Sequence, residues 1–534
     1  MNLIDGAPWL PVRRKHGARE LILPWQITDR IDDDPIVALD LPRPDFNGSL
    51  VQFLIGLLQT AWTPEDEADW GEAYERPPKP AELHDACLRY RDAFNVDGDG
   101  PRFLQDLELA GEEPKDIGSL LIDEPGGQTL RDNRDLFIKR GQYPTLGLTA
   151  AVAALITLQT NAPSGGKGHR TSMRGGGPLT TLLVPDPLHD PLPANLWRLV
   201  WLNVLSAEHL EGLTGNSLLT DPAAIFPWLA PTRTSENPGG VDTTPEDAHP
   251  LQMYWGMPRR IHLEMDDLVE GECPMTHRRE PLVTAFHTRS YGVNYTGAWA
   301  HPLSPHVINE EGKPLPLHPQ PGGIAYRYWL GLVLGDAQGV RPAQVITARG
   351  SSSARRRRAV RLWAFGFDMD NAKARAWYES VMPVYHLDTE QRERFSAEVN
   401  RLLVAASDVA RNLRLALKDA WFSKGATVRG DFNFAVDAFW QDTQPGFYGL
   451  LELLHRHVTE DAAEPDRRGW LRLLNDCSLA LFDTWAVSGA IENEDPKRIA
   501  VARKGLEWGN HSKKMMNTLG LETRPRQQQG ATHE

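Results

Sequence analysis

From Asp388 onward, apolar residues recur every three or four positions, which predicts long amphipathic helices. The first series is Phe395, Val399, Leu402, Ala406, Val409, Leu413, Leu417 and Trp421. Asp388 and Gln391 have the spacing of a capping box, and Gly425 follows the series as a stop signal. Segments with similar spacing follow at 432–441, 447–458, 470–487 and 496–506. We predict a four-helix bundle over 386–521 and a disordered Gln-rich tail over 522–534.

The N-terminal part of the chain contains segments with helical spacing of apolar residues and segments with the alternation typical of strands. We predict a strand pair at 9–12 and 20–23, further strands at 180–184, 261–265, 283–286 and 360–367, and helices at 49–62, 81–94, 148–160 and 194–205. Residues 63–80 read as a solvated connection and 221–250 as a loop or linker. The chain is therefore predicted to be α+β, with a large mixed α/β domain over 1–385 followed by the bundle.

Composition narrows the class of protein. Among 534 residues there are 57 basic and 71 acidic side chains, a net charge of −14. The net negative charge of the whole chain repels polyanions, so any contact with nucleic acid must be made by a restricted basic surface. Three widely spaced cysteines favour a reducing compartment, and the chain contains no run of about 18 apolar residues. We expect a cytoplasmic protein that does not enter a membrane.

One stretch, Pro163–Thr181, contains six glycines in 19 residues together with Lys167, Arg170 and Arg174. No Asp or Glu occurs between Leu136 and Pro185. Glycines allow close backbone approach, and cations with free N–H groups attract phosphate. The stretch therefore indicates an anion-binding surface, with a flexible connector as the alternative. Gly168 follows Lys167 where a P-loop needs Ser or Thr, so a nucleotide-binding P-loop is not indicated.

No catalytic set or metal site is predicted. Cys273 and His277 have a usable zinc spacing, but no second pair of ligands accompanies them. Asp368 and Asp370 could hold Mg²⁺, although isolated acidic pairs usually face solvent. We predict no cofactor and no bound metal. A dense basic run, Arg355, Arg356, Arg357 and Arg358, is a second local exception to the acidic composition.

The chain resembles the large (CasA-type) subunits of the type I-E CRISPR surveillance complex, Cascade. The resemblance rests on the start Met1-Asn-Leu-Ile-Asp with Trp9-Leu-Pro-Val, on Gly165-Gly-Lys-Gly with Met173-Arg-Gly-Gly-Gly-Pro-Leu-Thr-Thr181, and on Trp299-Ala-His-Pro-Leu-Ser-Pro305. It implies a non-enzymatic subunit that reads the protospacer-adjacent motif (PAM) of duplex DNA from the minor groove, promotes strand separation and recruits a helicase–nuclease. Implied partners are double-stranded target DNA, guide RNA, and the backbone, small and guide-end-capping subunits.

The resemblance also implies roles for residues. DNA or PAM contact falls on Gly165, Gly166, Lys167, Gly168, Arg170, Arg174 and Asn371, the last as a strand-separating wedge. Contact with guide RNA or neighbouring subunits falls on Asn133, Arg134, Phe137, Lys139 and Arg140. The family's PAM-contacting lysine aligns with Glu272, a departure that implies either that Arg278 or Arg279 acts instead or that the motif preference differs. Arg278, Arg279 and Arg355–Arg358 are candidate contacts to the DNA backbone.

Two other functions are compatible with the residues alone. The Gly-rich stretch and the His-rich region could serve an enzyme acting on a phosphate substrate, or the bundle could be a scaffold that binds only proteins. DNA binding that depends on a guide complex, nucleotide turnover, or neither would separate the three hypotheses.

Overall fold

The computed structural model describes residues 1–109, 112–133, 141–213, 215–351, 359–370, 373–422, 432–460, 465–487 and 495–521. The helices are α1 (Pro44–Ala61), α2 (Glu67–Glu75), α3 (Pro80–Leu88), α4 (Gly127–Arg131), α5 (Leu148–Asn161), α6 (Leu196–Trp201), α7 (Ala207–Glu211), α8 (Pro222–Ile225), α9 (Trp329–Val333), α10 (Gln344–Ser351), α11 (Thr389–Trp421), α12 (Asn433–Glu460), α13 (Arg467–Phe482), α14 (Pro496–Asn510) and α15 (Lys513–Thr518).

The strands are short except for one hairpin. They are β1 (Leu10–Arg14), β2 (Arg19–Ile22), β3 (Ile36–Leu39), β4 (Lys115–Asp116), β5 (Leu146–Gly147), β6 (Thr180–Pro185), β7 (Asp242–Thr243), β8 (Arg260–Leu263), β9 (Val269–Glu272), β10 (Arg279–Val283), β11 (Ala285–Arg289), β12 (Asn294–Tyr295), β13 (His306–Ile308), β14 (Pro314–Pro316), β15 (Val340–Arg341), β16 (Val360–Asp370) and β17 (Lys373–Pro383).

The chain divides into two compact units. The first consists of Met1–Pro321 and Ala337–Val384, and the second of Gly322–Asp336 and the chain from Tyr385. The second unit thus takes in a segment that the sequence analysis placed within residues 1–385. The tail at 522–534 lies outside the described residues.

The first unit is built around α1, which is buried on almost all sides and packs against α5. Phe53 of α1 meets Phe94, Phe103 and Trp255 edge to face, with ring centroids 5.8–6.2 Å apart. Small antiparallel sheets surround this core, in the orders β2-β1-β3, β5-β10-β9, β4-β11-β8 and β17-β16-β6. The last two sheets contribute residues to the groove beside the Gly-rich stretch.

Most elements predicted for the first unit are present, but the predicted helix at 81–94 ends at Leu88 and the predicted strand at 283–286 falls across β10 and β11. Residues 63–80 are not simply a solvated connection, because they contain α2. Asp66 accepts hydrogen bonds from Ala68 N and Asp69 N, at 2.7 and 2.9 Å, and so caps the helix. Trp70 and Tyr74, four residues apart, are both buried on its inner face. The acidic residues of this segment obscured that pair in the sequence.

The second unit contains four long helices, α11 to α14, among the described residues. The predicted capping box is present, since Gln391 N–H donates to Asp388 Oδ1 at 2.8 Å and Asp388 N–H to Gln391 Oε1 at 3.0 Å. The predicted helices at 432–441 and 447–458 are in fact one helix, α12, which runs through Pro445. An internal proline costs roughly 3 kcal/mol in a helix, and α12 continues through it with Thr443 and Phe447 buried on either side. The α+β fold with a helical C-terminal region is confirmed.

None of the helices in the described parts of the chain is long and apolar enough to cross a membrane.

Candidate functional site

The Gly-rich stretch begins where α5 ends and leads directly into β6. Two backbone hydrogen bonds close its base: Ser172 N–H donates to Ala162 O, and Gly177 N–H donates to Asn161 O, both at 3.1 Å. Residues 163–171 therefore form a surface loop with fixed ends, which we call the glycine loop.

The glycines of this loop face different surroundings. Gly168 adopts a φ of +79°, and a Cβ there would lie 2.9 Å from the Tyr291 ring, so only glycine fits without strain. A Cβ on Gly166, in contrast, would meet no atom within 4 Å. Gly166 and Lys167 are exposed to solvent. The glycine loop thus packs against Tyr291 at Gly168, while Gly166 and Lys167 face solvent.

The two arginines of the stretch are less accessible than the sequence suggested. Arg170 is half-buried, and its Nε donates to Ser235 Oγ at 2.7 Å. Arg174 is buried at 4% exposure and binds Gln52, Thr180 and Ser304. Burial of the guanidinium among these partners disagrees with the assignment of Arg174 as a DNA-contacting residue. A basic residue next to glycines in the sequence looks accessible, and the sequence alone does not show that its side chain is buried.

The glycine loop lies along a groove of about 930 Å³ that gathers distant parts of the first unit. We call it the basic groove. Its lining includes Gly165, Gly166 and Lys167 and the cations Lys115, Arg131, Arg259 and Lys373. The one carboxylate among the described lining residues is Glu124. A chain with a net charge of −14 thus concentrates five cations around one groove.

Two cations of the basic groove act on the glycine loop. Arg259 donates a hydrogen bond to Pro163 O and so holds the start of the loop. Burial lowers the pKa of Arg259 to about 10, which leaves it charged at neutral pH. The pKa of His169 is lowered by burial and by the charges of Arg259 and Lys115. His169 is therefore neutral at pH 7, and an anion entering the groove would meet fixed positive charge.

The β16–β17 hairpin brings Lys373 to the basic groove. Its strands pair as far as Asp370 and Lys373, which lie on either side of residues 371–372. Arg375 donates two hydrogen bonds to the carboxylate of Asp368, at 2.7 and 3.0 Å. Arg375 thus engages the carboxylate of Asp368, one of the two acidic residues considered for Mg²⁺. Asn371 itself lies outside the described residues, so its role as a wedge stays a prediction.

The β9–β10 hairpin carries Glu272, which the resemblance aligns with a PAM-contacting lysine. Glu272 is exposed, lies opposite Arg279 in the register and pairs with His277 at 3.4 Å. Cys273 is buried, and its Sγ accepts N–H hydrogen bonds from Gly147 and Thr276, at 3.3 and 3.5 Å. No group of three potential metal ligands occurs in the described parts of the chain.

This hairpin and the glycine loop lie at opposite ends of α5. Gly147, which contacts Cys273, precedes the helix, whereas Pro163 follows it. A helix of 14 residues is about 21 Å long. Arg278 and Arg279 are therefore not part of the basic groove.

Several predicted contact residues fall outside the described residues. These are Arg134, Phe137, Lys139 and Arg140 of the candidate guide-contacting loop, and the run Arg355–Arg358. Asn133, the last residue described before that loop, has a φ of +50°. Arg131, two positions earlier, lines the basic groove.

Sequence reasoning missed Lys115, Arg131, Arg259 and Lys373 as members of one site. None of them belongs to a recognisable motif, and Lys115 and Lys373 belong to different sheets. Only the pairing of β4 with β11 and of β16 with β17 brings them to the same groove. Correlated changes at paired strand positions, seen in an alignment of relatives, would have revealed that these residues lie together, whereas no short motif does.

Comparison with known proteins gives consistent matches. Residues 2–481 match the family described as CRISPR-associated protein Cse1. The fold is similar to CasA of Thermus thermophilus, with 16% identity over 97% of this chain and 99% of that one and a TM-score of 0.66. Thermobifida fusca Cse1 gives 16% identity, 97% and 98% coverage and a TM-score of 0.66. A chain of a CRISPR RNA-guided surveillance complex gives 17% identity, 96% and 99% coverage and a TM-score of 0.65.

Proposed function

The chain belongs to the family of CRISPR-associated Cse1 proteins, and we propose that it is the large, non-catalytic subunit of a type I-E RNA-guided surveillance complex. In this role it recognises the PAM in double-stranded DNA, promotes strand separation and R-loop formation, and recruits the helicase–nuclease. A solved relative of the same fold comes from an RNA-guided surveillance complex, which supports assembly with guide RNA and other subunits.

The observation that carries this proposal is the basic groove beside the glycine loop. Phosphate backbones bind where cations cluster, and each neutralised phosphate releases counterions. An exposed glycine such as Gly166 allows the protein backbone to approach a DNA groove closely. The minor groove offers a degenerate pattern of donors and acceptors, so we expect tolerance of more than one motif. Guide pairing supplies the rest of the specificity.

Individual residues take the following proposed roles. Gly165, Gly166 and Lys167 contact the duplex, with Arg170 supporting the loop through Ser235. Asn371, next in the chain to Asp370 of β16, acts as the wedge. The loop from Asn133 to Arg140 contacts guide RNA or a neighbouring subunit. These assignments rest on the family resemblance together with the position of the described residues around the groove.

Other residues extend the proposal beyond the basic groove. Arg278 and Arg279, about one helix length away, reach a separate part of the DNA backbone, and Arg355–Arg358 add further contacts. The helical second unit contacts other subunits and the helicase–nuclease. Because Glu272 occupies the family's lysine position and is exposed, we expect a motif preference that differs from that of lysine-bearing relatives.

The test is binding of PAM-bearing duplex by the assembled complex. Gly166→Asp places a negative charge where no atom lies within 4 Å, so it leaves the fold intact. We expect weaker duplex binding in a gel-shift titration and normal assembly. Gly100→Asp makes the same change at another open position and serves as the control. Unchanged affinity of Gly166→Asp would exclude the glycine loop from the interface, and nucleotide turnover by the purified chain would favour an enzyme.

A further inference from the structure

Arg174 carries a buried positive charge that meets only neutral protein atoms. Its Nη2 donates to Gln52 Oε1 at 2.6 Å, and its Nη1 donates to Thr180 Oγ1 and Ser304 Oγ at 3.0 and 3.1 Å. In the described parts of the chain no carboxylate lies within ion-pair distance of this guanidinium. A buried cation without a counter-charge is costly, since burial removes its hydration.

Other arginines of the first unit that are equally buried do have such partners. Arg14, Arg260 and Arg349 are 2%, 3% and 1% exposed. Arg14 pairs with Asp29, Arg260 with Asp106 and Arg349 with Glu67. Carboxylates thus compensate the three most buried arginines of the described first unit but not Arg174, and the slightly more exposed Arg102 and Arg259 donate to backbone carbonyls instead.

A small cavity of about 40 Å³ adjoins Arg174. Gln52, Tyr254 and His301 also line it. A guanidinium has five N–H groups, and three of those of Arg174 are used in the hydrogen bonds above, which leaves two without a partner among the described residues. A cavity needs only about 10–15 Å³ to hold a water-sized particle. There is room, therefore, for a small ligand beside unused donors.

We propose that this cavity binds a small monovalent anion such as chloride, which neutralises Arg174. The limited volume disfavours phosphate and nucleotides. Burial lowers the pKa of Arg174 to about 9, so the side chain is still charged at neutral pH and still requires compensation. His301 is neutral in the same cavity, because burial and the charge of Arg174 hold its pKa well below the usual range.

The anion site would also stabilise the end of the Gly-rich stretch. Arg174 lies between Ser172, whose N–H closes the base of the glycine loop, and Gly177, whose N–H forms the second closing bond. Compensation of its charge would therefore fix the segment on which the glycine loop is built. The inference does not depend on DNA binding.

The test uses the full chain in halide-free buffer at constant ionic strength, with sodium gluconate replaced stepwise by sodium chloride or bromide. We expect a saturable rise in Tm of about 2 °C or more with either halide. Arg174→Met should abolish the dependence on halide. Arg349→Met, which removes a buried arginine that has a carboxylate partner, should lower Tm but keep the dependence.

Equal Tm values in chloride and gluconate would overturn the proposal. If Arg174→Met does not fold, crystals of the unaltered chain grown with bromide decide the matter. An anomalous peak beside the guanidinium supports the site, whereas water density without such a peak overturns it. Either negative result would leave the proposed DNA interface untouched, because the duplex-binding assay measures a different surface.

Discussion

Gly177 lies so close to Met369 that a Cβ on the glycine would be 2.8 Å from Met369 Cγ. The same Cβ would be 2.8 Å from Phe367 O, and Gly177 has a φ of +63°. The contact joins the Gly-rich stretch to β16 close to the tip of its hairpin. Under the proposed function, it connects the element that reads the PAM with the element that opens the duplex.

We expect Gly177→Ala to destabilise the protein by about 1–3 kcal/mol, because alanine is strained at this φ and clashes with Met369. The urea unfolding midpoint measures this change. Gly166→Ala is the matched control, since its Cβ would meet nothing within 4 Å. Equal midpoints for both variants would show that the Gly177 contact carries no energetic weight.

Asn371→Gly should slow R-loop formation on fully paired DNA about tenfold, the effect of losing roughly 1.4 kcal/mol from the step that unstacks the first base pair. Binding to a target already opened beside the PAM should be near normal. Asn371→Gln keeps an amide side chain at this position and should keep the rate. Equal slowing on both targets, or on neither, would contradict the wedge assignment.

The second unit depends on a segment that precedes most of it in the chain. Tyr326 is fully buried, with its ring 4.3 Å from that of Phe447 and its hydroxyl 3.0 Å from Thr443 Oγ1. We expect a fragment of residues 386–521 to be helical by circular dichroism but to gain several degrees in Tm when a peptide of residues 322–336 is added. A peptide with Tyr326→Ala should have a weaker effect. A disordered fragment that the peptide does not rescue would contradict this boundary.

Stability should fall as the pH is lowered from 7.5 to 5.5. The folded-state pKa of His301 is far below its ordinary value, so the unfolded chain binds more protons in this range and stability is lost as the pH falls through about 6.5. His301→Asn retains an acceptor for Leu303 N–H, which lies 3.1 Å from Nδ1, and should lose less stability over the same interval. Denaturant titrations at both pH values measure the difference, and parallel losses would exclude His301 as a contributor.

The sequence was informative where local patterns determine structure. Asp388 and Gln391 predicted a helix start that the hydrogen bonds confirm, and the apolar run of α5 predicted its bounds to within one residue. Arg174 was misassigned because its partners Gln52 and Ser304 lie 122 and 130 residues away in the chain. The basic groove was missed for the same reason, since tertiary pairing rather than sequence proximity brings Lys115 and Lys373 together.

The closed base of the glycine loop has an evolutionary consequence. Because the bond from Ser172 to Ala162 closes the base of the loop, its outward positions Gly166 and Lys167 can change while α5 and β6 keep their packing. Under the proposed function, exchange of these two outward residues between relatives is the smallest change that should alter the preferred motif without rebuilding the core, whereas Gly168 should be retained.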